Sequence, residues 1–135
     1  MQIGQVAERT ELSIRTVRHY DDVGLVAPSA RSSGGFRLYT EADVDRLLVI
    51  RRMKPLGFTL AEMKELLAAL DVLDSRKASA ADRKASVRRL REYRTKTDDS
   101  ANRLRRQLAY AEELARLLAE RAETKAETKE RRSRT

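Results

Sequence analysis

The side chains able to do chemistry are few, and their types exclude most of it. The 135 residues include no cysteine and one histidine, His19. Disulfides, thiol nucleophiles, thiolate metal sites and a histidine metal cluster within one chain are therefore excluded. No carboxylates cluster in an apolar setting, and the adjacent Asp21 and Asp22 read as polar surface at a helix end. An enzyme is not expected, and no cofactor is implied. What remains is arginine. Arg15, Thr16, Arg18, His19 and Tyr20 occupy one short segment, and no acid occurs from Leu12 to Tyr20. A second acid-free run, Val23 to Thr40, carries Arg31 and Arg37 on either side of Gly34 and Gly35. Guanidinium groups present planar, paired donors that fit a phosphate or the edge of guanine. Two readings stay open for the first segment: a face that enters a DNA groove, or a solvated helix face. For the second, the arginines could grip phosphates or enter a minor groove, or the segment is an ordinary exposed hairpin.

The elements that must position these residues follow from spacing and punctuation. Ile3, Val6 and Ala7 predict a first helix over Gln2 to Thr10. Glu11 and Leu12 interrupt it. Ser13 is a good N-cap for a second helix running to about Asp22, with Ile14 and Val17 on its inner face, and Gly24 stops it. Two short helices joined by a tight turn make a helix-turn-helix pattern. Pro28 favours extended chain before it. Ser32-Ser33-Gly34-Gly35 is a turn cluster between short extended runs, so a β-hairpin is expected, with Phe36 and Tyr39 as its anchors to the core. Thr40 opens a third helix with Asp43 in the capping-box position, and Pro55 should end it early. Thr59 and Glu62 open a fourth with Met63, Leu66, Leu67 and Leu70 inward. Residues 71–81 read as a linker.

From Val87 the pattern changes period. Val87, Leu90, Arg94, Thr97, Ala101, Leu104, Leu108, Ala111, Ala115, Leu118 and Ala122 alternate three and four apart, a continuous heptad register. A helix of that length cannot bury its whole stripe within a small domain, so the seam calls for a partner, most simply a second copy. Val87, Leu90, Leu104, Leu108, Ala111 and Leu118 are the expected dimerisation contacts. Residues 123–135 are polar and basic, and fraying or disorder is expected there. The fold class is mainly α: a winged helix-turn-helix domain over 1–70, the linker, a coiled-coil dimerisation helix over 82–122, and the tail.

Charge is unevenly spread over this division and does not by itself locate a DNA-binding surface. Charged residues make up 37% of the chain, aromatics 4%, and the formal net charge is +8. Residues 1–70 hold ten basic and nine acidic side chains, against nineteen and twelve in 71–135. A basic protein suits a polyanionic partner, but the excess lies on the long helix and tail. Its arginines, Arg88, Arg89, Arg91, Arg103, Arg105 and Arg106 among them, fit either a solvated coiled-coil face or contacts to flanking phosphates. No run approaches the ~20 apolar residues of a membrane span. The start lacks a signal-peptide layout, so a cytoplasmic location is expected.

The order Ile3-Gly4-Gln5-Val6-Ala7, Arg15-Thr16-Val17-Arg18-His19-Tyr20, Gly24-Leu25-Val26, Gly35-Phe36-Arg37-Leu38-Tyr39 and Leu56-Gly57-Phe58-Thr59-Leu60 resembles the MerR family of bacterial regulators. The resemblance covers roughly Gln2 to Leu70. It implies a winged helix-turn-helix, a further helix pair and a long helix that pairs two chains in an antiparallel coiled coil. It places DNA contacts on Arg15, Thr16, Arg18, His19, Tyr20, Arg37 and Tyr39, to which the hairpin reading adds Arg31. The helix start at Gly57-Phe58-Thr59 would meet a phosphate through its amides.

The resemblance further implies a homodimer on a palindromic promoter site, distortion of that DNA, and RNA polymerase as a partner at the promoter. A small-molecule effector would bind at the dimer interface, with residues 71–81, Tyr93 and Tyr110 as candidate lining, or there is none. Three positions depart from the family pattern: Glu11 stands where the turn usually has glycine, Pro55 where arginine-like residues are common, and His19 for a more usual tyrosine. The cysteines of the metal- and redox-sensing branches are missing. Two other classes compete: an architectural or recombination accessory DNA-binding protein, and a coiled-coil interaction protein.

Overall fold

The computed structural model describes residues 1–134 and the backbone only of Arg134; Thr135, the end of the expected tail, lies outside the described residues. Five α-helices and one hairpin follow in order: α1 (Ile3–Thr10), α2 (Ile14–Asp22), β1 (Ala30–Arg31), β2 (Arg37–Leu38), α3 (Glu41–Met53), α4 (Leu60–Asp74) and α5 (Ala80–Arg134). Two compact units result, Met1–Tyr93 and Arg94–Thr135.

In the first unit α1 packs on α2 and α3, and α3 packs on α4. Val6, Val17, Val26, Val44, Leu47, Ile50 and Leu67 are almost fully removed from solvent and form the centre of the core. Side chains reinforce the helix packing. Arg9 forks onto both carboxylate oxygens of Glu41, tying α1 to the start of α3. Thr40 caps α3 in a complete capping box with Asp43. Aspartate serves here because it is buried and also accepts from the Ser29 hydroxyl at 2.6 Å, which fastens the approach to β1 onto α3.

The turn between α1 and α2 keeps its left-handed form without glycine: Glu11 has φ 57° and ψ 29°, and its amide reaches the carbonyls of Ala7 and Glu8. Arg51 holds the turn from α3, donating to the Thr10 carbonyl at 2.7 Å. Lys54–Leu56 form a single 3-10 turn with Pro55 at its start. The missing proline amide is why α3 tightens and ends at Met53.

Three boundaries differ from the sequence reading. Helix α4 continues through Asp71–Asp74, because nothing there breaks a helix and Arg46 pairs with Asp71. The connection shrinks to residues 75–79, where Arg83 reaches back to the carbonyls of Leu73, Ser75 and Ala78. Ser79 then caps α5, its hydroxyl accepting from the Asp82 amide at 3.1 Å. Packing of the first unit also runs past residue 70 to Tyr93, whose ring lies 5.9 Å from that of Phe58 and whose hydroxyl donates to Glu65. The residues expected to fray from 123 are helical as far as Arg134.

Candidate nucleic-acid interface

Helix α2 starts at Ser13, whose hydroxyl accepts from the Thr16 amide at 3.0 Å and donates to the Thr16 hydroxyl at 2.8 Å. The cap sets the phase of the helix. Val17 and Tyr20 are buried; Arg15, Arg18 and His19 are exposed, and Thr16 is half-buried. The inner pair is therefore Val17 and Tyr20, and not Ile14 and Val17, since Ile14 is 41% exposed. Tyr20 is correspondingly a core residue. Its hydroxyl is sealed from solvent with no hydrogen-bond partner among the described residues, as is that of Tyr39. Burial sets both tyrosines apart from the exposed DNA contacts that the resemblance implies, and Tyr39 lies where a hairpin anchor would. Burial also raises the Tyr39 phenol above its ordinary pKa.

The hairpin pairs Ala30 with Leu38 and Arg31 with Arg37, and Gln2 adds a bridge to Leu38 on the far side. Its turn closes through Ser32, which donates its amide to the Phe36 carbonyl and accepts the Gly35 amide, both at 2.9 Å. Gly35 sits at φ 82°, a conformation that L side chains rarely adopt. Phe36, expected to anchor the wing, is instead 64% exposed at this turn. Tyr39 and Leu38 do the anchoring.

Asp21 joins the two segments. Its side chain, 14% exposed, accepts from the Nε of Arg37 at 2.8 Å and lies 3.4 Å from Arg31. This contact raises the Arg37 guanidinium further above its ordinary pKa. From the sequence alone Asp21 reads as plain polar surface. Its position in the last turn of α2, well before the first wing strand at Ala30, gives no sign that both wing arginines converge on it. Thr59 caps α4 with a full capping box: its hydroxyl accepts from the Glu62 amide at 3.1 Å, and its own amide donates to Glu62 at 2.9 Å. That amide is already engaged, so the α4 start offers the Thr59 hydroxyl edge rather than the Thr59 N–H.

A groove of about 260 Å³ lies between α4 and the first turns of α5, lined by Glu65, Ala68, Ala69, Val72, Ala85 and Arg89 among others. Only Val72 comes from the residues expected to be linker. Tyr93 is committed to Glu65, and Tyr110 is 66% exposed in the second unit. Among the described residues no helix is long and apolar enough to cross a membrane.

A helix pair with a capped, arginine-bearing second helix, followed by a two-stranded hairpin, defines a winged helix-turn-helix protein of the DNA-binding class. Family comparison narrows this. The model of the MerR HTH family regulatory proteins matches residues 1–70, and the MerR DNA-binding model matches 44–127. The HTH-type transcriptional activator mta of Bacillus subtilis is 50% identical over 66 residues, which cover 49% of this chain and 26% of that protein. The HTH-type transcriptional regulator CueR of Vibrio cholerae is 36% identical over 99 residues, covering 73% of this chain and 70% of that one. The fold matches that of HiNmlR, a MerR family regulator lacking the sensor domain and solved on promoter DNA, with TM-score 0.69, 22% identity and coverage of 93% and 92%. The chain belongs to the MerR family. It spans about a quarter of the length of the mta and TipA activators it matches.

Proposed function

We propose that this protein is a sequence-specific DNA-binding transcriptional regulator that binds a palindromic promoter site as a homodimer and distorts it. The observation carrying this reading is the division of α2. Val17 and Tyr20 fix one side in the core, leaving Arg15, Arg18 and His19 exposed on a helix of a width that fits the major groove. Arg15, Thr16, Arg18 and His19 form the recognition surface. Arg31 and Arg37 of the wing, preset by Asp21, and Thr59 at the start of α4 meet the flanking backbone. Exposed Phe36 at the wing turn joins this surface. Tyr20 and Tyr39 support it from within. Two chains joined along α5 present two recognition helices, and the two-fold axis demands an inverted repeat. Bending the site costs on the order of 1–10 kcal/mol and is offset by contacts the bend permits. RNA polymerase bound at the same promoter is the partner through which the distortion acts.

Selection of bound duplexes from a random pool tests the reading. Inverted half-sites, bound by a protein that bends them in a permutation assay, are expected. A pool that stays random, or half-sites without two-fold symmetry, overturns it; symmetric sites left straight remove the distortion and keep the binding. Arg15→Ala and Arg18→Ala separate the contacts. Loss of a phosphate contact lowers the salt slope by about 0.9 at every sequence, and loss of a base contact relaxes one position of the half-site.

A further inference from the structure

The wing ends in a side chain that its own fold does not use. Phe36 is 64% exposed, against 41% for Ile14 and for Leu60, the other exposed large apolar side chains described in the first unit. Its ring belongs neither to the core nor to the side chains packed against it. An apolar group held in water at the tip of a hairpin that faces DNA calls for a surface to cover it. We infer that Phe36 is a wedge that enters the minor groove beside each half-site and opens one base step there. The wedge rests on the DNA-binding reading above and adds a specificity that no hydrogen bond to a base supplies.

The tip is built to present the ring. The Phe36 amide donates to the Ser32 hydroxyl at 3.1 Å, and the Phe36 carbonyl accepts the Ser32 amide at 2.9 Å. Arg31 clamps the turn by donating to the Gly35 carbonyl at 3.3 Å. The ring itself lies over Gly34: a Cβ added there would stand 3.2 Å from the ring carbon Cε2 and 3.3 Å from Cδ2. Glycine therefore lets the ring rest on bare backbone. A side chain held in place before binding loses little freedom on entering a groove. The tip is also slender. Ser32, Ser33, Gly34 and Gly35 add little bulk around the ring, which suits a groove about 6 Å wide. Arg31 and Arg37, paired across the hairpin, stand behind the ring where phosphates line that groove.

The chemistry of the ring limits what it can do. A phenyl group has no donor, acceptor or charge, so it neither reads base edges nor holds a phosphate. What it offers is shape. Apolar side chains pushed between base pairs unstack a step and kink the duplex. That deformation is easiest at the flexible pyrimidine–purine steps, TA and CA/TG. Phe36 therefore selects a deformable step rather than a pattern of donors and acceptors, and it contributes locally to the distortion proposed for the site.

Selection from a random duplex pool, run with the parent, Phe36→Ala and Phe36→Leu, tests the wedge. The parent should recover inverted half-sites with TA or CA/TG enriched at one fixed position outside each. Phe36→Leu keeps an apolar wedge and should keep that enrichment; Phe36→Ala should recover the half-sites and lose it. With 2-aminopurine at this step of a selected duplex, fluorescence should rise on binding of the parent and of Phe36→Leu and stay flat with Phe36→Ala. Affinity of Phe36→Ala for that duplex should fall roughly 10-fold, within the range of a lost base–aromatic contact. Its salt slope should not change, because no charge is removed. Its Tm should stay within about 2 °C of the parent, as for a surface substitution. A parent pool without the flanking step, or enrichment, fluorescence or full affinity that survives in Phe36→Ala, overturns the wedge and leaves DNA binding standing. A markedly lower Tm makes the ring a structural anchor and overturns it too. A parent that recovers no inverted half-site overturns the wedge and the DNA-binding reading together.

Discussion

Replacing Glu11 with glycine is expected to stabilise the protein. Glu11 is the non-glycine residue with positive φ among those described, and it sits at the turn that sets α2 against α1. A Cβ in the left-handed region costs roughly 1–2 kcal/mol. Glycine removes that cost but gives up about 0.4–1 kcal/mol through the greater freedom of the unfolded chain. The lost carboxylate matters little: it lies 3.6 Å from Arg51 and is 85% exposed, so its ion pair is screened by water. The balance is a gain of roughly 0.5–1 kcal/mol, or about 2–8 °C in Tm for a domain of this size. Thermal unfolding followed by circular dichroism at fixed protein concentration measures it. Glu11→Ala is the control, since it removes the carboxylate and keeps the Cβ, and its Tm should stay near the parent. DNA affinity should also stay, because Arg51 still holds the Thr10 carbonyl. Equal shifts for the two variants, or a lower Tm for glycine, would refute the claim that strain resides in this turn.

Two further outcomes are expected. Asp21→Asn frees Arg31 and Arg37 from their shared carboxylate. The salt slope of DNA binding should steepen by about 0.9 as one negative charge leaves the interface, while discrimination between specific and random duplex falls because the wing loses its tether; an unchanged slope would remove Asp21 from the interface. Tyr93 titrates at about 12, raised first by burial and then by its hydrogen bond to Glu65. A raised folded-state pKa means that its stabilising contribution is complete below about 10 and fades as pH climbs to about 12. Phenolate absorbance should show this late titration, and Tyr93→Phe should abolish it and flatten the loss of stability across that window.

Much of the architecture was legible because it is written in local chemistry. Ser13, Thr40 and Thr59 act as caps through atoms within three residues of themselves, so the helix starts could be read without knowing what the helices touch. Pro55 ends α3 by lacking an amide, which is likewise local. The length of the heptad stripe from Val87 declared a helix with more apolar surface than its own chain can cover. The exposed arginines of α2 were legible for the same reason: charged groups rarely enter a core unpaired.

Tertiary packing decided the rest. Ile14, Val17 and Tyr20 are spaced three apart, so any adjacent two could face inward, and periodicity does not choose between them. The neighbouring elements admit Val17 and Tyr20 and leave Ile14 in water. Tyrosine is apolar along its ring and polar at its tip, so type alone could not tell a buried Tyr20 or Tyr39 from a DNA contact, nor exposed Phe36 from an anchor. Asp21 became the hub of the wing only when the chain, turning at Gly24, brought Arg31 and Arg37 back to it. Local sequence determines where helices begin and how far an apolar stripe runs, because those depend on atoms a turn apart. Which face is buried, and which carboxylate meets which guanidinium, depends on elements far apart in the chain.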